Sequence, residues 1–443
     1  MTSFASNREG YEKMDGGRFL FVFALLSVVS GGVANAQQEN GSGPFDPDIY
    51  NLQNNRHEIV RGEKYANYFG GGMEGQEKEP FDPFFEVDWS VGVIAASRVG
   101  SSPGRNTISL NPQFSLTNIG LRSQFSLGAN ALFSTGEGQS ARVETIALSY
   151  EGEYEIDGDS RLNSSINIDL NQGDAKALGV LDNVVELPLV FSARGEGGIG
   201  RRFGRLGILG AIQLERELQT PTLLRGNIER DNSDQSFTSL GATLRASYEI
   251  TPNIAGFVAG DLKRNWYDAA SIATGTRLDG WNWGLRGGVQ LNWRDVLVSE
   301  FSIGYGLRSF DDPSIARLGG AIFGVDVNYT PDSVLNAGVQ LSTGFTPANA
   351  SDSLPSSVDY RGSVNVGYRL NRMIGLRASA TGEWVRPVSG IQSRTSIGAG
   401  AGFDFTVNKN LLLNADYSYN WIQRLPDAGE YEHALILGMR FSR

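Results

Sequence analysis

Trp281-Asn-Trp-Gly-Leu-Arg-Gly-Gly-Val-Gln-Leu-Asn-Trp293 decides the fold. Read in steps of two, one set is Trp281, Trp283, Leu285, Val289, Leu291 and Trp293. The other is Asn282, Gly284, Arg286, Gly288, Gln290 and Asn292. Successive side chains of a strand point to opposite faces, so this period builds a ribbon that is greasy on one side and polar on the other. Leu335 to Phe345 repeats the scheme, with Leu335, Ala337, Val339, Leu341 and Phe345 against Asn336, Gly338, Gln340, Ser342 and Gly344. Leu411 to Trp421 repeats it again. Such runs are about twice the usual strand length of a soluble domain.

Working outward, short turn signals punctuate the runs. They stand at Asn118-Ile-Gly120, Asp157-Gly-Asp159, Arg202-Phe-Gly204, Thr251-Pro-Asn253, Arg294-Asp295, Pro331-Asp-Ser333, Asn371-Arg372 and Asn408-Lys-Asn410. Between them lie more variable stretches rich in Gly, Ser, Asp and Pro, such as Gln219–Gln235, Asp311–Ala316 and Thr346–Ser356. Each cycle of about 40 residues therefore holds two long strands joined as a hairpin. A 40-residue all-β period also suits propeller blades, but a blade packs four strands of about five residues into that length. Twelve residues rising about 3.3 Å each and tilted by about 40° span roughly 30 Å, the height of an outer-membrane barrel wall. Strand length favours the barrel.

Eight short turns supply sixteen flanking strands, with one more before the first long loop (Phe85–Ala96) and one after the last (Tyr431–Phe441). The expectation is an all-β, transmembrane, antiparallel up-and-down β-barrel of about 18 strands. Sixteen stays open because strand phases near Val184–Arg201 and Ile254–Tyr267 are ambiguous. An even number returns both termini to the periplasm. Amphipathic rings collect at headgroup level in such walls. Tyr154, Tyr248, Tyr329, Tyr368 and Phe405 stand shortly before a short turn, and Trp266, Phe345, Trp384 and Trp421 stand at the other strand ends. These nine are the expected membrane girdles.

Composition agrees. The chain has 443 residues, no cysteine, 56 glycines, 38 basic against 49 acidic side chains and a net charge of −11. A polytopic helical membrane protein is excluded, since no series of apolar runs of about 20 residues occurs. The acidic excess argues against a nucleic-acid partner, and the missing thiols exclude disulfides and thiolate metal sites.

Residues 1–36 read as an export signal: Arg18, the apolar run Phe19 to Val29, then Ala34-Asn-Ala36 before Gln37. Translation starting at Met14 would give a more compact leader. Removal takes Arg8, Lys13 and Arg18 together with Glu9, Glu12 and Asp15, so the net charge stays at −11. Residues 37–83 are polar and carry a duplication, Pro44-Phe-Asp-Pro47 and Pro80-Phe-Asp-Pro83, whose prolines favour an extended path. This segment is a periplasmic extension or tether, or alternatively a docking segment or a plug. Residues 84–443 form the barrel.

The last strand, Tyr431 to Phe441, resembles the terminal signal by which outer-membrane barrels are recognised, with Phe441 as the aromatic and Ser442 and Arg443 following it. That resemblance implies folding by the barrel-assembly machinery. The hairpin grammar of Tyr248–Asn253, Tyr329–Asp332 and Tyr368–Arg372, with the Pro-Phe-Asp-Pro lead-in at Pro80, resembles the putative β-barrel porin type 2 family of Gram-negative outer membranes. The resemblance covers residues 80–443. It implies a membrane barrel and, through some members, a link to exopolysaccharide or capsule export with periplasmic partners. It supplies no catalytic residues.

If the apolar faces meet outer-membrane lipid, the opposite faces line the interior. The pore-lining candidates are Arg122, Arg245, Arg286, Arg308, Arg361, Arg369 and Arg377 with Glu249, Glu300, Asp326, Glu383 and Asp404. Rows of charge can constrict a pore and set its field; equally, they can be cross-strand pairs that only hold neighbouring strands. Enzyme chemistry has no candidate. His57 sits in the tether, His433 faces the lipid side near a rim, and no metal cluster, nucleophile elbow or phosphate-cradling loop appears. No cofactor is expected. The expected function is passive passage of hydrophilic solutes across the outer membrane. The alternatives are an export component for polysaccharide, or a structural or adhesive barrel with an occluded lumen.

Overall fold

The computed structural model describes residues 84–443 apart from 103, 137–140, 179, 181–182, 273–274, 348–355, 388–392 and 425–428. The export signal and the extension with its duplicated motif lie outside the described residues.

The chain runs through β1 (Phe84–Gly100), β2 (Arg105–Ile119), β3 (Ser123–Gly136), β4 (Arg142–Asp157) and β5 (Ser160–Gln172). After a short β6 (Val184–Glu186) come β7 (Leu189–Phe203) and β8 (Leu206–Gln219), then two further short strands, β9 (Thr222–Leu224) and β10 (Ile228–Arg230). Next are β11 (Phe237–Thr251), β12 (Ile254–Tyr267), β13 (Gly280–Trp293), β14 (Leu297–Phe310), β15 (Leu318–Tyr329) and β16 (Leu335–Pro347). The series ends with β17 (Ser356–Arg369), β18 (Ile374–Pro387), β19 (Arg394–Asn408), β20 (Leu411–Arg424) and β21 (Glu430–Ser442). Short β10, β9 and β6 pair with one another in a small three-stranded sheet built from two long loops.

The other strands form one 18-stranded sheet, antiparallel throughout. It closes where β1 pairs with β21, from Ser90↔Ser442 to Gly100↔Glu432. Eighteen therefore stands and sixteen falls. Of the two ambiguous regions, Ile254–Tyr267 is β12 in full, whereas Val184 belongs to the small sheet and the wall resumes at Leu189. Closure joins the first and last strands of the sheet, the condition for a β-structure to cross a bilayer.

A chain reversal meets each of the eight punctuated sites, although the first runs from Gly120 to Arg122, past Asn118 and Ile119, which are still in β2; the chemistry of the turns is local. Asp157 accepts the Asp159 N–H at 2.9 Å, Asp332 accepts those of Val334 and Leu335 at 2.8 Å, Asn371 accepts those of Met373 and Ile374, and Asn408 accepts that of Asn410. A short side chain that bonds its own backbone two residues on defines a tight reversal. At the β13–β14 turn, Arg294 (φ 54) and Asp295 (φ 59) are both left-handed, and the Val296 N–H closes the reversal on Trp293 O at 3.0 Å. Asn292 stabilises it by accepting the Asp295 N–H at 2.9 Å. Both chain ends of the barrel lie at this short-turn end, where Ser442 N–H donates to Asn410 O.

Candidate functional site: the inner wall

Paired residues of antiparallel strands share a face, so the register carries the orientation of β13 around the cylinder. Trp281, Trp283, Leu285 and Val289 are exposed on the outside, while Asn282 and Arg286 are buried on the inside. Arg286 pairs with Ala259 and Gly304, and Gln290 with Glu300. Followed strand by strand, Arg245, Arg286, Arg308, Arg361, Arg377, Glu300, Asp326, Glu383 and Asp404 all lie on the inner face. Glu249 and Arg369 share that face at the short-turn end, where Arg369 is exposed. Arg122 does not. It stands in the turn between β2 and β3, exposed, with its carbonyl accepting the Glu155 N–H. Chain reversal runs on through Leu121 and Arg122, and β3 starts at Ser123, one residue too late for Arg122 to join the wall.

The aromatics divide in the same way. Tyr154, Tyr248, Trp266, Tyr329, Tyr368 and Trp384 are exposed on the outside, and Phe405 and Trp421 occupy outward positions half-buried. Phe441 is also outside, its ring 5.8 Å from that of Trp89 across the closing seam. Phe345 departs from the expected girdle. It is 1% exposed and packs with Ile322 and Val358. Its pairing with Val358 is in phase, but β16 has left its neighbour β15 at that height, so alternation no longer points outward.

On the β8–β14 side the inner wall is a buried polar network. Glu215 accepts from Lys263 Nζ at 2.7 Å and from Arg194 Nη2 at 3.2 Å. Arg245 reaches over two intervening strands to grip Glu300 with both terminal nitrogens, at 3.2 and 2.9 Å, and its guanidinium lies 3.6 Å from the Phe257 ring centre. Gln290 Nε2 donates to the same carboxylate. Arg308 donates to Tyr267 Oη at 3.1 Å. Above these, Phe237, Tyr267 and Leu278 form a buried cluster joined by Phe310 and Ile315, so loop residues of this side fold onto the wall.

The β17–β20 side holds more open pairs. Arg361 bonds Asp359 and Glu383, each at 2.9 Å, and Arg394 shares Glu383 at 2.9 Å. Arg377 lies between Asp404 at 3.2 Å and Asp416 at 2.6 Å. Between the two sides, on β15, Asp326 accepts from Gln340 of β16 and from Asn328.

A third group, near the seam, was missed by the sequence reading. Arg105 bonds Glu432 at 2.9 Å, Arg98 stands 3.8 Å from the same residue, and Arg142 bonds Glu144 at 2.6 Å. Asp174, in the loop after β5, joins them through Arg142 at 3.1 Å and Arg105 at 3.4 Å. Arg105 also donates to the Lys176 carbonyl. Burial by itself would raise the Asp174 pKa, but the Arg142 hydrogen bond, the Lys176 N–H and Arg105 together hold it below the ordinary carboxylate range. Arg98 and Arg105 were legible only as inward phases of strands longer than expected. Asp174 lies in a loop and had no periodic signal. Among the described residues no group of three or more His, Cys, Asp or Glu is placed to hold a metal ion.

A closed 18-stranded cylinder, apolar outside and polar inside, defines an outer-membrane β-barrel of the channel-forming class. Residues 95–443 match the family described as Putative beta-barrel porin 2, and the chain belongs to that family. No curated protein matches its sequence. Among solved structures it is similar to OccK5 (OpdH) of Pseudomonas aeruginosa, at 8% identity and TM-score 0.40, over 81% of this chain and 98% of that one. OccK2 (OpdF) of the same organism matches at 10% identity and TM-score 0.42, over 81% and 98%. The FrpB iron transporter of Neisseria meningitidis matches at 8% and 0.42, over 76% and 62%. At these values the likeness speaks to neither substrate nor selectivity.

Proposed function

We propose that this porin-family barrel passes small hydrophilic solutes passively along its axis, without strong preference for either sign of charge. The observation that carries the reading is the inner wall of β17–β20, where half-open arginines and carboxylates alternate around the lumen. Eighteen strands about 4.8 Å apart, tilted by about 40°, close a cylinder roughly 35 Å across between backbones. Side chains extending about 6 Å from each wall leave a water-sized path or wider in such a cylinder. Paired charges of both signs present a solute with a field that constricts without excluding one class of ion.

The proposal includes export to the outer membrane with loss of residues 1–36, and folding by the barrel-assembly machinery with Phe441 in the recognised strand. No catalytic step is assigned to any residue. Single-channel recording in planar bilayers tests the reading. Discrete conductance steps with a cation-to-anion permeability ratio within a few-fold of one are expected, while a barrel that inserts and gives no steps is an occluded, structural one.

A further inference from the structure

Between β15 and β16 the ladder stops early. The two strands pair over six residue pairs, from Tyr329↔Ala337 to Gly324↔Ser342. Yet β15 runs on to Leu318, paired with Arg308 of β14, and β16 runs on alongside β17 beyond Phe345↔Val358. No register joins Leu318–Phe323 to Thr343–Phe345 among the described residues. Thr343 stands eight residues above Leu335, a rise of about 20 Å for a tilted strand, less than the apolar band of about 25 Å. The break thus starts within the outer half of the membrane, where an unpaired sheet edge facing hydrocarbon is costly and must be covered.

Phe345 covers it. Its ring lies over Gly306, an inner-face residue paired with Gly284; a Cβ on Gly306 would stand 2.5 Å from that ring. Ile322, Val358, Leu318 and Tyr360 pack around it as an apolar plug at the break. On the outside, Phe323, Tyr360 and Trp384 stack in sequence, with ring centres 6.0 and 5.1 Å apart. On the inside, two residues along from Gly306, Arg308 is 1% exposed and its Nη1 has no acceptor. A buried guanidinium N–H without an acceptor is unfavourable unless a ligand oxygen meets it. The elements run in order from lipid to lumen: aromatic collar, apolar plug, cationic donor.

We propose that this break is a lateral port, through which a single-chain amphiphile with a carboxylate head moves between the lumen and the outer leaflet. Its tail replaces the Phe345 ring between β15 and β16, and its head accepts from Arg308. This route is separate from axial passage and does not depend on it.

The chain has no cysteine, so the pair Phe323→Cys with Thr343→Cys, one step beyond the last paired residues, can tie the break shut with a single disulfide. The full chain in phospholipid vesicles is titrated with 11-(dansylamino)undecanoate, with dodecanoate as competitor, and the same sample is recorded in bilayers. Wild type should bind the probe saturably; the oxidised pair should lose at least tenfold in affinity and regain it with reductant, with conductance unchanged. Phe345→Ala should bind severalfold tighter. Arg308→Gln should weaken dodecanoate severalfold and leave dodecanol unaffected. Probe uptake no greater than by protein-free vesicles overturns the port, as does unchanged binding in the oxidised pair. If the disulfide does not form, unchanged binding in a conducting Phe345→Ala barrel overturns it equally. Missing conductance steps with intact probe binding would instead count against the axial reading alone.

Discussion

The two sides of the inner wall obey one alternation rule and differ in how wet they are. On β11–β14, Ser239, Lys263, Asn265, Asn282 and Arg308 are all at or below 5% exposed. On β17–β19, the side chains of Arg361, Glu383, Arg377 and Asp404 keep 32%, 20%, 21% and 25% of their surface, although Asp359 and Asp416, which pair with the same arginines, are buried. The first arc is roofed by loop residues and behaves like the polar interior of a soluble domain; the second is a channel surface. The difference shows that period two fixes which way a side chain points, while loops decide whether water reaches it.

The largest effect that would break this comparison is on stability. Removing one partner of a buried ion pair leaves the other charge desolvated, at a cost of about 3–5 kcal/mol. Glu215→Ala should lower unfolding stability in detergent by that order, because Lys263 and Arg194 both donate to this 2%-exposed carboxylate. Glu383→Ala, on the wetter arc, should cost about 1 kcal/mol. Equal costs in a urea titration would show that the arcs are energetically alike.

Selectivity should respond in the opposite order. Arg377→Gln leaves Asp404 and Asp416 without their shared cation, so reversal potentials should shift towards cations by a factor of a few in permeability ratio. Arg245→Gln, on the roofed arc, should leave the ratio where it was. A larger shift from Arg245 would place the ion path against the other wall.

A smaller effect concerns the seam group. With its pKa held low, Asp174 contributes stability that is complete above the ordinary carboxylate pKa of about 4 and lost only as pH falls through the depressed value. Protease cleavage in the β5–β7 loop should therefore stay constant from pH 7 to about 4 and rise below that. Asp174→Asn should cleave faster at pH 7, and a wild-type rise already at pH 6 would contradict the pairing. The smallest change expected is at the β13–β14 turn. Arg294→Gly removes a left-handed non-glycine residue and should stabilise by roughly 0.5 kcal/mol, after the added freedom of the unfolded chain is offset. A loss of stability would mean that the Arg294 side chain contributes more than its backbone strain costs.

Most of the wall was legible because its determinants are short-range. Asp157, Asp332, Asn371 and Asn408 announce their turns through bonds to backbone two or three residues away, and each turn sets the register of its hairpin. Orientation followed for Arg245 and Trp384 alike. What could not be read depends on distance. Lys263 and Glu215 are 48 residues apart and meet across β11, and no local pattern links them. Phe345 has the outward phase but sits where its strand has parted from β15, and Arg122 falls one residue outside a strand whose end the pattern did not define. Asp174 reaches the wall from a loop, where periodicity carries no information.

The uneven length of the ladders has a mechanical consequence. The closure between the first and last strands is held by eleven rungs, the β15–β16 contact by six. Heated or pulled apart, the cylinder should therefore unzip beside Gly324 rather than at the seam between its two terminal strands, and amide protons from Leu318 to Phe323 should trade with deuterium before those of Ser90 to Gly100.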